Sequence, residues 1–140
     1  MMEAMKLPVT NDAGYYEMRL ESIGGLGANL CGKLLGELGA IYLGLNSASF
    51  SSYGSEKRGS PVKAYIRWCA PDKDLRINSP VETPHLLGLF HEAMAGKHPV
   101  TAGVDERTKV VLNTGLSVDE AREQLKLAAG ELFCIDGQTI

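Results

Sequence analysis

The sequence predicts an α/β domain: a Rossmann-like, open, mostly parallel sheet covered by helices. Three observations predict it. Strand-like and helix-like patterns alternate along the chain, the order expected of a sheet with helical crossovers. Several strand candidates, Leu86 to Phe90 and Lys109 to Leu112 among them, are short and largely apolar rather than alternating, as strands covered on both faces are. A glycine-rich turn, Gly24-Gly25-Leu26-Gly27, stands between the first strand and the first helix.

Residues 1–14 are polar and irregular and end in the turn cluster Asn11-Asp12-Ala13-Gly14; they are expected to form a tail or an arm lying on a partner. Tyr15 to Ile23 is the first strand, with Tyr16, Met18, Leu20 and Ser22 on one face and Glu17, Arg19, Glu21 and Ile23 on the other. A helix follows to about Tyr42. Leu30, Leu34, Leu38 and Ile41 recur at helical spacing and predict its apolar face. Gly32, Gly36 and Gly39 mark another face. Each glycine costs about 1 kcal/mol relative to alanine inside a helix, so three of them predict a second backbone passing close by. Residues 43–61, rich in Ser, Gly and Asn, are expected to be a long connection.

Val62 to Trp68 alternates cleanly and predicts a strand that is antiparallel or near an edge. Ala70 to Asp74 is a turn, and Leu75 to Asn78 suggests a short strand before the prolines at 80 and 84. Leu86 to Phe90 is a buried strand, and His91 to Ala95 begins a helix. After the Lys109–Leu112 strand, Ser117 and Glu120 form a capping box for a helix whose inner face is Val118, Ala121, Leu125 and Ala128, with Gly130 as its stop. Leu132 to Ile135 is the last strand.

The 140 residues suit one domain, 15–140, with a core that needs no staples. Hydrophobic residues make up 44% and charged residues 22%, and the mean hydropathy is -0.06. No apolar run is long enough for a membrane span. No signal peptide is evident, which predicts a cytoplasmic protein. A net charge of -3 argues against nucleic-acid binding. Cys31, Cys69 and Cys134 stand far apart and offer no iron–sulfur or zinc spacing, so they are expected to be buried thiols. His91-Glu92 has no second histidine one turn on, so no metal site is predicted. Ser52 and Ser55 lack the turn and the histidine of a hydrolase nucleophile. Asp119, Glu120, Arg122 and Glu123 form a solvated helix face.

The Gly25-Leu26-Gly27 turn begins a dinucleotide fingerprint but does not complete it. Leu30 occupies the third glycine position, and residues 43–53 contain no acid for a ribose. A tight strand-to-helix turn without nucleotide is the better reading; a free-standing Rossmann-like nucleotide-binding module is the alternative.

The segment Ser52-Tyr53-Gly54-Ser55-Glu56-Lys57-Arg58-Gly59-Ser60-Pro61 is more telling. By composition alone it is a solvated surface loop. Taken with the turn Ile23-Gly24-Gly25-Leu26-Gly27 before it, and with Ala64, Ile66 and Arg67 in the strand after it, it resembles the gamma family of 2-oxoacid:ferredoxin oxidoreductases. Ser79 to Pro84 and Val111 to Thr114 are similar to family stretches too. The resemblance covers about residues 16–140. Family members run some tens of residues further, with a helix, so it also implies a gamma domain that is incomplete at its C-terminus.

That resemblance implies a non-catalytic gamma-type subunit or domain. The assembled enzyme would oxidatively decarboxylate a 2-oxoacid, commonly to an acyl-CoA, using thiamine diphosphate, magnesium and iron–sulfur clusters, with ferredoxin as electron acceptor. It implies alpha, beta and ferredoxin-like subunits as partners, no catalytic residue and no cofactor held by this chain alone. An isolated chain is expected to be inactive and to self-associate through uncovered apolar surface. Tyr53, Gly54, Glu56, Arg58 and Gly59 are the candidate site, serving either the coenzyme A region or a subunit interface. A guanidinium fork suits a carboxylate or phosphate in both cases. Gly24, Gly25 and Gly27 form the accompanying turn. Pyruvate, branched-chain, aryl and oxalate-type substrates all remain open.

Overall fold

The structure is a computed structural model that describes residues 5–23, 27–53 and 61–137. Six strands form one mixed sheet: β1 (Tyr16–Ile23), β2 (Asn46–Tyr53), β3 (Pro61–Cys69), β4 (Leu86–Leu89), β5 (Lys109–Asn113) and β6 (Glu131–Ile135). Their spatial order is β2-β3-β1-β4-β5-β6. β1, β4, β5 and β6 run parallel, while β3 is antiparallel to both β1 and β2. The α/β expectation holds, and β3 is antiparallel and one place in from the edge.

Two helices lie on opposite faces. α2 (Val118–Leu125) begins as the sequence predicts: the Ser117 hydroxyl accepts from the Glu120 amide at 3.2 Å, and Glu120 Oε1 accepts from the Ser117 amide at 3.4 Å. Ala121 and Leu125 face a core of Leu87, Leu89, Val110, Leu112 and Leu132. The helix ends earlier than expected. Lys126 takes a left-handed conformation, φ 53°, and stops it. Leu127 is therefore buried in place of Ala128, and Val118 is exposed.

α1 (Ala28–Glu37) continues into a π-helical turn over Leu38–Tyr42. Its packing reverses the expected one. The glycines face the sheet, above a core of Met18, Leu20, Ala64 and Ile66. A Cβ at Gly32 would lie 2.9 Å from that of Ala64, one at Gly36 3.0 Å from the Ser49 hydroxyl, and one at Gly39 2.3 Å from Trp68 Nε1. What approaches is a set of strand side chains, not a second backbone. The helix is held close, and the Trp68 indole donates to the Leu35 carbonyl at 3.1 Å. The predicted apolar face, Leu30, Leu34, Leu38 and Ile41, points away from the sheet and is exposed, 63% in Leu30 and 65% in Ile41.

Two further expectations are corrected. The predicted long connection contains β2, paired with β3 along its whole length. Leu75 to Asn78 is not a strand but an irregular, largely exposed segment that leads into the Ser79–Pro84 stretch. His91 to Ala95 becomes a short 3₁₀ helix over Glu92–Gly96. At the N-terminus, the Met5 amide donates to the Leu43 carbonyl at 2.8 Å, and Leu7 packs on the α1-side core.

Candidate functional site

Three regions of the fold stand out by the groups they bring together. The first is the carboxyl edge of the parallel strands, where open α/β sheets bind ligands. The strand ends that flank both motifs singled out in the sequence lie there. β1 ends at Ile23, which pairs with Pro61 at the start of β3, and Tyr53 at the end of β2 pairs with Val62. The described residues that flank the two motifs in sequence, Ile23, Tyr53 and Pro61, thus stand at adjacent strand ends. Gly24, Gly25, Gly54, Glu56, Arg58 and Gly59 themselves lie outside the described residues. Gly27 is described: its φ of 109° is a glycine conformation, it caps α1, and a Cβ there would lie 3.4 Å from the Phe90 ring.

Beyond β4, β5 and β6 the same edge holds a hollow of about 250 Å³, lined by residues including His91, Glu92, Asn113, Thr114 and Asp136. Thr114 Oγ1 donates to Glu92. Asn113 Nδ2 donates to the Phe90 carbonyl at 3.2 Å, and its Oδ1 accepts from the Gly137 amide at 2.8 Å. Burial pushes the His91 imidazole below its usual value, so it is neutral at neutral pH. Its Nε2 is buried without a partner. The group set is acceptor-rich, with no thiolate. Among the described residues no three His, Cys, Asp or Glu side chains are grouped to hold a metal.

The second region is a buried ionic clamp that the sequence reading missed. The charged face of β1, expected from simple alternation, is covered. Arg67 Nε meets Glu17 Oε2 at 2.6 Å, and its other nitrogens donate to the carbonyls of Ser79 at 2.7 Å and Pro80 at 3.3 Å. Arg19 donates to the carbonyls of Val81 at 3.1 Å, Val100 at 3.2 Å and Ala102 at 2.6 Å. Glu21 is 1% exposed, 3.1 Å from Arg19 Nε and 3.7 Å from Lys63 Nζ. Burial raises its carboxyl above the usual range, against the opposing pull of Arg19 and Lys63.

His85 Nδ1 accepts from the Glu17 amide at 2.9 Å, and burial keeps that imidazole neutral too. The two prolines leave the 79–84 cover without a ladder of its own, so arginine forks satisfy its carbonyls instead. The signal was present in sequence as facing charges: Glu17 opposite Arg67, and Glu21 opposite Lys63.

The third region is an apolar shelf on the α1 side. α1 covers β1, β2 and β3, and Leu86 and Phe90 pack against the same core, but among the described residues no helix lies on that face of β5 and β6. Phe133 and Ile135 are 44% and 47% exposed there. Between them and the flank of α1 lies a hollow of about 380 Å³, lined almost wholly by apolar groups that include Leu35, Leu86, Phe90, Val111 and Ile135. Parallel strands are normally covered on both faces. No helix among the described residues is long and apolar enough to cross a membrane.

Residues 17–140 match the family model described as pyruvate ferredoxin/flavodoxin oxidoreductase. The chain belongs to this family. Its relatives include the common subunit gamma of the pyruvate/ketoisovalerate oxidoreductases of Thermococcus litoralis, 32% identical over 124 residues, which are 89% of this chain and 65% of that protein. The pyruvate synthase subunit PorC of Thermotoga maritima is 29% identical over 126 residues, 90% of this chain and 63% of that one. The chain thus spans a little under two thirds of the length of these family members.

The fold agrees. The crystal structure of the pyruvate oxidoreductase subunit PORC from Thermotoga maritima superposes with a TM-score of 0.74 at 23% identity, over 90% of this chain and 64% of that one. The gamma subunit of a keto/oxoacid ferredoxin oxidoreductase from Geobacter sulfurreducens gives 0.56 at 22% identity, over 86% and 59%. Within the family frame, Arg67 and the Ser79–Pro84 stretch, recognised separately in sequence, are the two halves of one clamp.

Proposed function

We propose that this chain is a non-catalytic, gamma-type component of a thiamine diphosphate- and iron–sulfur-dependent 2-oxoacid:ferredoxin oxidoreductase, and that it acts by docking to the subunits that hold those cofactors. The assembled enzyme decarboxylates a 2-oxoacid, commonly to an acyl-CoA, and passes electrons to ferredoxin. The family match supports the reaction class. The apolar shelf carries the docking reading, because exposed contiguous apolar surface of this kind marks an interface. Alpha, beta and ferredoxin-like subunits are its partners in the cytoplasm. The chain binds no metal, cluster or nucleotide by itself.

The 54–60 segment, with Glu56 and Arg58, stands in sequence between β2 and β3 and serves either coenzyme A or the subunit contact. Co-expression with the thiamine-binding and ferredoxin-like subunits tests the proposal. The complex reduces a viologen dye with 2-oxoacid and coenzyme A, whereas the isolated chain is colourless and inactive. Stoichiometric iron or dye reduction in the isolated chain would contradict it. Arg58→Lys in the complex weakens coenzyme A use or assembly by about tenfold to a hundredfold, the worth of a charge-assisted hydrogen bond. A raised KM for coenzyme A in an intact complex assigns Arg58 to the ligand, and dissociation on dilution assigns it to the interface.

A further inference from the structure

The free edge of the sheet at β2 differs from an ordinary edge. Natural edges are blunted by charges, prolines or bulges. β2 is eight residues long, Asn-Ser-Ala-Ser-Phe-Ser-Ser-Tyr, with neither charge nor proline. Its register with β3 is unbroken from Asn46 to Tyr53, so no bulge twists it away. Among the described residues, none of its backbone groups bonds outside the ladder to β3. The opposite edge, β6, has five residues and starts with Glu131, paired to Lys109. An open row of backbone donors and acceptors is complementary to one thing, another extended strand.

The helix above the edge indicates whose strand it is. Lys33, Glu37 and Ile41 line a hollow with Ser47, Ala48 and Ser49, so this flank of α1 overhangs β2. Lys33 and Glu37 are exposed, one turn apart, and neither takes part in an ion pair among the described residues. We propose that β2 pairs antiparallel with β2 of a second copy of this chain, joining the two sheets across a twofold axis through Ser49.

A twofold axis inverts the order of Lys33 and Glu37, so each lysine faces the partner's glutamate. The uncharged strands bring no like charges together. Residues opposed across an antiparallel pair share a face, which requires the axis to pass through a residue. Ser49 lies under Gly36, level with the middle of the Lys33–Glu37 turn. Spacing agrees as well. Gly36 rests on β2 and Gly32 on β3, which puts the α1 axis between those strands. With strands about 4.8 Å apart, the two α1 axes come to roughly 10 Å, near the ~8–10 Å of packed helices.

Sedimentation equilibrium of the full chain over a concentration series tests this pairing, and its outcome is independent of oxidoreductase assembly. The expected result is a monomer–dimer equilibrium. Glu37→Lys weakens it by about tenfold, since two pairs turn repulsive together. The double variant Lys33→Glu with Glu37→Lys restores the wild-type constant. Ser49→Cys, in a background with Cys31→Ser and Cys134→Ser, crosslinks to its own copy on mild oxidation. The double variant keeps the composition and leaves the sheet untouched, so loss of folding cannot imitate the pattern. A monomer at every concentration overturns the proposal, as does a dimer indifferent to Glu37→Lys or one that Ser49→Cys does not crosslink.

Discussion

The two helices share one sequence pattern and use it in opposite senses. Both carry apolar residues at helical spacing, Leu30, Leu34, Leu38 and Ile41 along α1 and its continuation, Ala121 and Leu125 in α2. In α2 the stripe faces inward, and Leu125 and Ala121 close the core over β4, β5 and β6. In α1 the stripe faces outward, and three glycines take the inner position. The difference is set by the strands beneath. β3 presents Ala64 and Trp68, and β2 presents Ser49, so close that only hydrogen fits between them and the helix. A glycine face at helical spacing therefore marks the sheet contact here, and the leucine face is left exposed in the chain by itself.

Four substitutions break or sharpen that contrast. Leu125→Ala, in α2, empties part of a packed core and is expected to cost about 2–5 kcal/mol, seen as a lower urea midpoint with unchanged m. Gly32→Ala, in α1, sets two effects against each other. Helix propensity favours alanine by about 1 kcal/mol, but overpacking costs about 1–3 kcal/mol, and the neighbour at 2.9 Å is the Cβ of Ala64, fixed to the sheet. Net destabilisation is expected, and a rise in thermal midpoint would show that the glycine face is not the seam.

Ser117→Ala removes the α2 cap and should cost about 1 kcal/mol; Gly27 gives α1 no side-chain cap to lose. Leu34→Ala, the α1 counterpart of Leu125→Ala, should change the stability of the isolated chain by no more than about 0.5 kcal/mol. A loss comparable to that of Leu125→Ala would mean that Leu34 is covered within the chain.

The elements whose sequence carries their own reason for folding were legible. β1, β3, β4, β5, β6 and the capping box of α2 stand within a residue or two of where pattern and caps place them. β2 was not, because its four serines and lack of clean apolar alternation resemble a loop. It is a strand through its ladder to β3, a non-local cause. Leu75 to Asn78 failed in the opposite direction: local apolar character suggested a strand, but the segment lies beside a cover whose carbonyls go to Arg67 and Arg19. The orientation of α1 was illegible for a related reason. Hydrophobic periodicity names the apolar face, while only the side chains below decide which face can approach. Of the candidate site, the sequence supplied the two motifs, and the nearness of the strand ends that flank them came from strand register. The clamp of Glu17, Arg19, Glu21 and Arg67 was hidden because alternating charges on a strand usually face water.

The proposed subunit contact is the shelf formed by the α1 stripe and the exposed face of β5 and β6. The most direct measurement is the affinity of the chain for the co-expressed thiamine-binding and ferredoxin-like subunits, with Leu34→Asp and Phe133→Asp introduced together. Both side chains are exposed in the isolated chain, so the variant should keep the wild-type circular dichroism and thermal midpoint. The expected result is a folded chain that no longer co-elutes with those subunits and no longer supports 2-oxoacid-dependent dye reduction. A folded double variant that assembles and supports turnover like wild type would contradict the account.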